Sequence, residues 1–210
     1  MTLETNEKIM NLENIVNKIN SKGKLTIGVD IDNVLFHIPI VEHINEVFET
    51  DYTYADIKDW SFNNLPENIK REAMSAFKST EFMCSTKPYW NNYCTLRDWK
   101  LKGHTLYAIT RRSLNLVEGT RNQLERHYPD LFRDFIFVTP ADSKAYWLNK
   151  IRANVHIDDW DVEDSVDAGI ETWLITNDKT QYNWSKRSDT RLNQALSLQH
   201  VHLDHAKWLR

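Results

Sequence analysis

Val29-Asp30-Ile31-Asp32-Asn33-Val34-Leu35 follows directly on Leu25-Thr26-Ile27-Gly28, and the fold turns on how this stretch is read. A short β-rich run enters an acidic cluster. Asp30 and Asp32 stand two apart, so extended backbone would put both carboxylates on one side. The chain must bend after Asp30, and Asn33 is a residue type that tolerates left-handed backbone. Alone, Asp-x-Asp also fits a solvated acidic turn, so the rest of the chain decides. Four further apolar runs occur at residues 105–109, 135–138, 155–157 and 172–175. Helical patterns separate them. Val117, Thr120, Leu124 and Tyr128 share one face, shorter patterns cover 142–151 and 162–168, and Gly169 suits a helix stop. Near-continuous apolar strands alternating with helices predict an α/β fold, a parallel sheet with right-handed crossovers.

Residues 37–102 break that rhythm. They hold about three helical stretches and no strand pattern, and they are too long for a plain crossover between the first two strands. The expectation is a small helical insertion, a cap, above the carboxyl ends of the strands. The α/β core then comprises residues 24–36 and 103–185. Residues 1–23 are expected to be a helical appendage ending at Gly23, and 186–210 a polar helical tail.

Composition narrows the function classes. A chain of 210 residues with 41% hydrophobic and 27% charged content supports one sizeable folded core. The net charge of −4 gives no global basic field for nucleic-acid binding. The apolar runs are far shorter than a membrane span, and Cys84 and Cys94 make no disulfide framework; both fit a cytoplasmic setting. The five glycines assemble no phosphate-cradling loop. Eight Trp, eight Tyr and eight Phe suit either a flat-ligand site or a well-filled core.

The ends of the strands carry the chemistry. Val155-His156-Ile157 runs into Asp158-Asp159, two adjacent carboxylates whose burial is costly unless a cation relieves it. Few hard oxygen ligands suit Mg²⁺. Ligands of doubly wound sheets bind beyond the carboxyl ends of strands at the switch point. If the first and fourth strands are neighbours, Asp30, Asp32 and Asp158 meet there. Thr110, ending the second strand, and Lys144, opening a helix, would offer a hydroxyl and an ammonium to phosphate oxygens. Singly, each fits a blander role, Thr110 as a helix cap and Lys144 as a solvated lysine.

The order Asp-x-Asp, Thr, Lys, Asp-Asp, each at a strand end or helix start, resembles the haloacid dehalogenase superfamily over residues 25–183, and the insertion falls where that superfamily carries its type 1 cap. Short blocks at 27–35, 54–62, 109–112, 157–159 and 172–183 resemble the 5′(3′)-deoxyribonucleotidases, the 5′-nucleotidase type C family, and their phage relatives. Asn33 stands where most relatives have Gly. The resemblance implies a Mg²⁺-dependent phosphomonoesterase of Rossmann-like fold. Asp30 would be the nucleophile, forming an aspartyl-phosphate, and Asp32 the acid and base. The metal would sit among the Asp30 carboxylate, the Asp32 carbonyl and Asp158, with Asp159 orienting its waters. Thr110, Arg111 and Lys144 would bind phosphate oxygens. The second aspartate speaks for phosphatase over dehalogenase chemistry.

Substrate choice would lie in the cap, with Trp60 and Phe62 as candidates for stacking on a base. The implied substrate is a small phosphomonoester, a (deoxy)nucleoside monophosphate, with no membrane or nucleic-acid partner and with a homodimer allowed. Two alternatives stand beside it: a 3′-phosphatase on polynucleotide ends, and a catalytically silent binding module. His200, His202 and His205 lack a carboxylate framework and read as part of a polar helix.

Overall fold

Every apolar run becomes a strand. The computed structural model describes residues 23–176 and 189–203; the predicted N-terminal helix and residues 177–183 of the last matching block lie outside the described residues. β1 (Thr26–Val29), β2 (Thr105–Thr110), β3 (Asp134–Phe137), β4 (Val155–Asp158), β5 (Glu171–Ile175) and β6 (Asn193–Ala195) form one six-stranded sheet in the order β3-β2-β1-β4-β5-β6. All five pairings are parallel. β1 therefore lies beside β4, the adjacency the carboxylate argument needs. The strand order reverses between them, so the switch-point crevice opens at their carboxyl ends.

The sheet continues further than the sequence suggests. The tail, expected to be helical, contributes β6 and a 3-10 turn at Leu198–His200 within its described residues. Leu198 and Val201 are buried in the main core, which outweighs the polar character of the segment.

Between β1 and β2 lie α1 (Ile40–Phe48), a 3-10 turn (Tyr54–Asp56), α2 (Glu67–Ala76), α3 (Thr80–Cys84) and α4 (Trp90–Leu101). The insertion has its own core, centred on Ile38, Ile44, Ile57, Phe62, Ile69 and Met83. Its two linkers pair: Phe36 bridges Pro88, His37 N–H donates to Lys87 O, and Tyr89 N–H donates to Leu35 O. α4 differs from the expected boundary at residue 102. Leu96 and Trp99 pack into the sheet core, so by packing the cap ends near Pro88 and α4 belongs with the α/β layer.

The remaining helices are α5 (Val117–His127), α6 (Lys144–Lys150) and α7 (Glu163–Asp167). α6 approaches β1 closely. A Cβ placed on Gly28 would come within 2.3 Å of Leu148 Cδ2. Lys144 lies one helical turn before Leu148 on the same face of α6, and Asp30 lies two residues beyond Gly28 on the same side of β1. The missing Cβ thus lets α6 settle where its lysine meets the end of β1. No helix among the described residues is long and apolar enough to cross a membrane.

Candidate active site

Asp30 follows β1 directly, and its N–H continues the ladder by donating to Ile157 O at 2.8 Å. The side chain is buried on the face covered by α6. Lys144 Nζ donates to Asp30 Oδ1 at 2.5 Å and to Asp158 Oδ2 at 2.6 Å, bridging the two strand ends. Asp32 N–H donates to Asp30 Oδ2 at 3.1 Å. Burial pushes the Asp30 carboxyl up to about 8, against the pull of Lys144 and with a push from Asp158 and Asp32. Asp158 goes the other way. Burial opposes its charge, but Lys144 and His156 hold it well below the usual carboxylate range. Trp160 N–H and Asp161 N–H also donate to Asp158 Oδ1, at 2.9 and 3.0 Å. The Lys144 ammonium is burdened by burial, yet its two carboxylate partners raise its pKa overall.

Asp159 joins this pair rather than standing behind it. Asp30, Asp158 and Asp159 each offer an oxygen within 4.8 Å of the others. Asn33 draws Asp159 inward, its Nδ2 donating to Asp159 Oδ2 at 3.1 Å while its Oδ1 accepts from Ile38 N–H at 3.2 Å. Asn33 is held at φ +56°, the left-handed backbone its residue type tolerates. Burial, then Asp158 and Asp30, push the Asp159 carboxyl well above its ordinary value. Three buried carboxylates thus face one lysine. The nearby arginines are committed elsewhere: Arg112 pairs with Asp32 and Arg111 with Asp161. A hard divalent cation fits this oxygen-only, charge-deficient set. Of the residues expected around the metal, the Asp30 and Asp158 carboxylates lie together, and Asp159, expected to orient the metal's waters, offers an oxygen at the same place.

The Asp32 carboxylate turns toward Arg112, which donates from Nε and Nη2 to Oδ1 at 2.9 and 2.7 Å. Arg112 has a fully buried side chain. Its neighbour Arg111, expected at the phosphate, instead staples surface loops. Its Nε donates to Asp161 Oδ2 at 2.6 Å, and its Nη1 donates to the carbonyls of Thr139 and Asp142. Successive side chains leaving β2 diverge, so only one of the two arginines turns inward. The buried Thr110 hydroxyl accepts from Arg112 N–H at 3.0 Å, which combines the turn-capping role with a place at the β2 end of the crevice.

On the cap side the two aromatic candidates separate. Phe62 is 0% exposed and sits at φ +53°, in a turn where it donates its N–H to Asp59 O. That turn drives its ring into the cap core, against Phe77 at 5.7 Å, so no face is left for a base. Trp60 is half-buried and packs edge-on to Phe77 at 5.2 Å. Trp160, a residue sequence reasoning missed, packs against the cap core directly after Asp158-Asp159. Its signal was an aromatic next to a carboxylate pair at a strand end.

No protein-family model matches this sequence, and no curated protein sequence matches it. Solved structures do resemble it. A predicted phosphoglycolate phosphatase from Haemophilus somnus aligns at a TM-score of 0.57 and 14% identity, over 90% of this chain and 100% of the other. A haloacid dehalogenase-like family hydrolase from Xanthomonas campestris aligns at 0.55 and 12% identity, over 85% and 92%. A magnesium-bound protein from Bacillus subtilis of the haloacid dehalogenase-type hydrolase class aligns at 0.52 and 11% identity, over 84% and 96%. At these identities the likeness shows the fold: a haloacid dehalogenase-like, Rossmann-type parallel sheet flanked by helices.

Proposed function

We propose that this protein is a Mg²⁺-dependent phosphomonoesterase acting through Asp30, with (deoxy)nucleoside monophosphates as its substrate class. The observation that carries this reading is the buried Asp30 at the switch point, bridged through Lys144 to Asp158, with Asp159 within reach. An isolated buried carboxylate would be protonated and inert. Here Lys144 holds the charge on Asp158 and orients Asp30 Oδ1, and the Asp30 proton would leave when a divalent cation binds beside it. In this reading a carboxylate oxygen of Asp30 attacks phosphorus as the bond to the leaving oxygen breaks, which splits the hydrolysis into two displacements. Asp32 supplies a proton to the leaving oxygen and then takes one from the attacking water. Thr110 and Lys144 bind phosphoryl oxygens as their charge rearranges. Asp30, Asp158 and Asp159, with the Asp32 carbonyl, would hold Mg²⁺, which when bound neutralises charge on the phosphoryl group. The magnesium-bound fold neighbour supports the choice of ion.

The nucleotide preference rests on the short blocks that resemble nucleotidases, of which 54–62 lies in the cap, and on Trp60, the aromatic candidate that keeps an exposed portion. The test is a phosphate-release screen over nucleoside monophosphates, sugar phosphates and 3′-phosphorylated oligonucleotides, with Mg²⁺ or with excess chelator after metal stripping. Release from nucleoside monophosphates that stops in chelator supports the reading. Full activity in chelator would overturn the metal assignment, and preference for oligonucleotide ends would favour the 3′-phosphatase.

A further inference from the structure

Among the buried charged side chains of the described residues, Arg112 is the one that the phosphoryl chemistry leaves without a task. A buried guanidinium is tolerated when its donors are satisfied in a fixed plane. Nε and Nη2 meet at Asp32 Oδ1, and Nε also reaches Asp32 Oδ2 at 3.2 Å. Nη1 donates to Thr120 Oγ1 at 3.2 Å and to Gln123 Oε1 at 2.8 Å, both on α5. Gln123 is anchored in turn, its Nε2 donating to Thr86 O at 3.1 Å and Thr86 Oγ1 at 2.9 Å in the return linker of the cap. The Phe36 ring lies 5.9 Å from Cζ. The guanidinium is thus fixed from α5 and from the cap linker, and its fork points at one carboxylate.

The two oxygens of that carboxylate are unequal. Oδ1 takes two short bonds, while Oδ2 takes only the longest contact of the three. The Asp32 side chain keeps 21% of its surface exposed, whereas Arg112 keeps none. We propose that Arg112 is the positioning residue for Asp32: it clamps Oδ1, leaving Oδ2 as the oxygen that exchanges the proton, and the α5–Gln123–Thr86 contacts hold the clamp. The inference rests on the phosphatase reading. In the first displacement the Oδ2–H proton passes to the leaving oxygen as that oxygen's bond to phosphorus breaks and the Asp30–phosphorus bond forms. In the second, Oδ2 takes a proton from water as the water oxygen bonds to phosphorus and the Asp30–phosphorus bond breaks. A lysine at position 112 keeps the charge but cannot fork.

The experiment compares wild type, Arg112→Lys and Gln123→Leu in pre-steady-state assays with p-nitrophenyl phosphate and with a simple alkyl phosphate. Nitrophenolate leaves without a proton, so the first displacement of that substrate does not need Asp32, while the second does. In Arg112→Lys, one equivalent of nitrophenolate per enzyme should appear at close to the wild-type rate. Steady-state turnover should then fall about 100-fold, within the range of a general acid–base contribution. The alkyl phosphate should show no burst and at least the same loss. Gln123→Leu loosens the brace and should give the same pattern at about tenfold. Should Arg112→Lys not fold, Gln123→Leu decides. Burst and steady state falling together, or unchanged steady-state turnover, would overturn the positioning role and leave the wild-type phosphatase standing. A wild type that releases phosphate from no monoester would overturn the proposed function, and this inference with it.

Discussion

The crevice and the cap sit on one chain but are held together by different forces. The crevice concentrates charge: Asp30, Asp158 and Asp159 are nearly or fully buried around Lys144, with ion-pair distances of 2.5 and 2.6 Å. The cap is a small apolar cluster whose rings meet at ordinary aromatic spacings, Trp60 to Phe77 at 5.2 Å and Phe62 to Phe77 at 5.7 Å. Charge in a crevice is directional and each member has a defined partner, so removing one should change chemistry and leave the fold. Apolar packing is collective, so removing one ring should change stability first. The predictions that follow set the two regions against each other.

The largest effect is expected at Asp30. Asp30→Asn removes the phosphoryl acceptor, and turnover should fall on the order of 10⁴-fold or more. The far-ultraviolet circular dichroism should be unchanged and the melting transition cooperative, because the amide has the carboxylate's size, keeps one oxygen to accept from Lys144, and relieves the repulsion from Asp158 and Asp32. Substantial turnover in the purified variant would remove Asp30 from the nucleophile role.

That expectation was legible before any coordinates, and the reason is physical. Strand ends, Asp-x-Asp and Asp-Asp are local signals, and one adjacency, β1 beside β4, brings them together. Lys144 was equally legible, because a helix start after a strand points its first turn at the crevice. What stayed hidden depends on side-chain direction. Nothing in Thr110-Arg111-Arg112 says which arginine turns inward, and Asp159 joins Asp158 only because Asn33 pulls it there. β6 was hidden for another reason. Asn193-Gln194-Ala195 has no apolar pattern, and its place is set by backbone pairing with β5. In the cap, the same aromatic richness signalled core and ligand site alike, and only burial separates Phe62 from Trp60.

The counterpart to Asp30→Asn is Phe62→Ala. Truncating a fully buried Phe costs about 3–5 kcal/mol. With its own small core, the cap should loosen as a unit, visible as a lower melting temperature and earlier proteolysis between residues 37 and 88. Activity toward nucleotides and toward p-nitrophenyl phosphate should drop together. A change confined to nucleotides, with stability intact, would return Phe62 to the substrate site.

The crevice should also tie stability to pH. The folded protein keeps a proton on Asp30, whose carboxyl is pushed up to about 8, and Asp159 is pushed in the same direction. The unfolded chain gives up both protons near pH 4. The folded state therefore binds more protons between those limits, and stability falls as pH rises, by up to about 1.4 kcal/mol per pH unit for each group. The depressed Asp158 contributes the opposite slope, but only at pH below the ordinary carboxylate range. Without divalent cation, the melting temperature should decline from pH 5 to 8, and Asp30→Asn should flatten part of that decline. A flat wild-type profile would mean the three carboxylates are not under the strain their burial implies.

The smallest effect is the one that decides the substrate. All phosphomonoesters present the same charged group, so the crevice alone does not tell a nucleotide from another ester. Discrimination has to come from the leaving group, and a base offers an apolar face. Trp60 is half-buried, wedged edge-on to Phe77, and lies in the cap segment on which the proposed nucleotide preference rests. Stacking on an aromatic is worth roughly 1–3 kcal/mol per base. At about 1.4 kcal/mol per decade, that is roughly five- to 150-fold in affinity. Trp60→Ala should lower kcat/KM for the best nucleoside monophosphate by that factor and leave p-nitrophenyl phosphate nearly unchanged. Trp60 also touches the cap cluster, so the melting temperature belongs in the same experiment. Equal losses on both substrates with a lowered melting temperature would make Trp60 cap core, like Phe62. Unchanged turnover of both would place the base elsewhere in the cap, and the nucleotide preference would then need another aromatic to carry it.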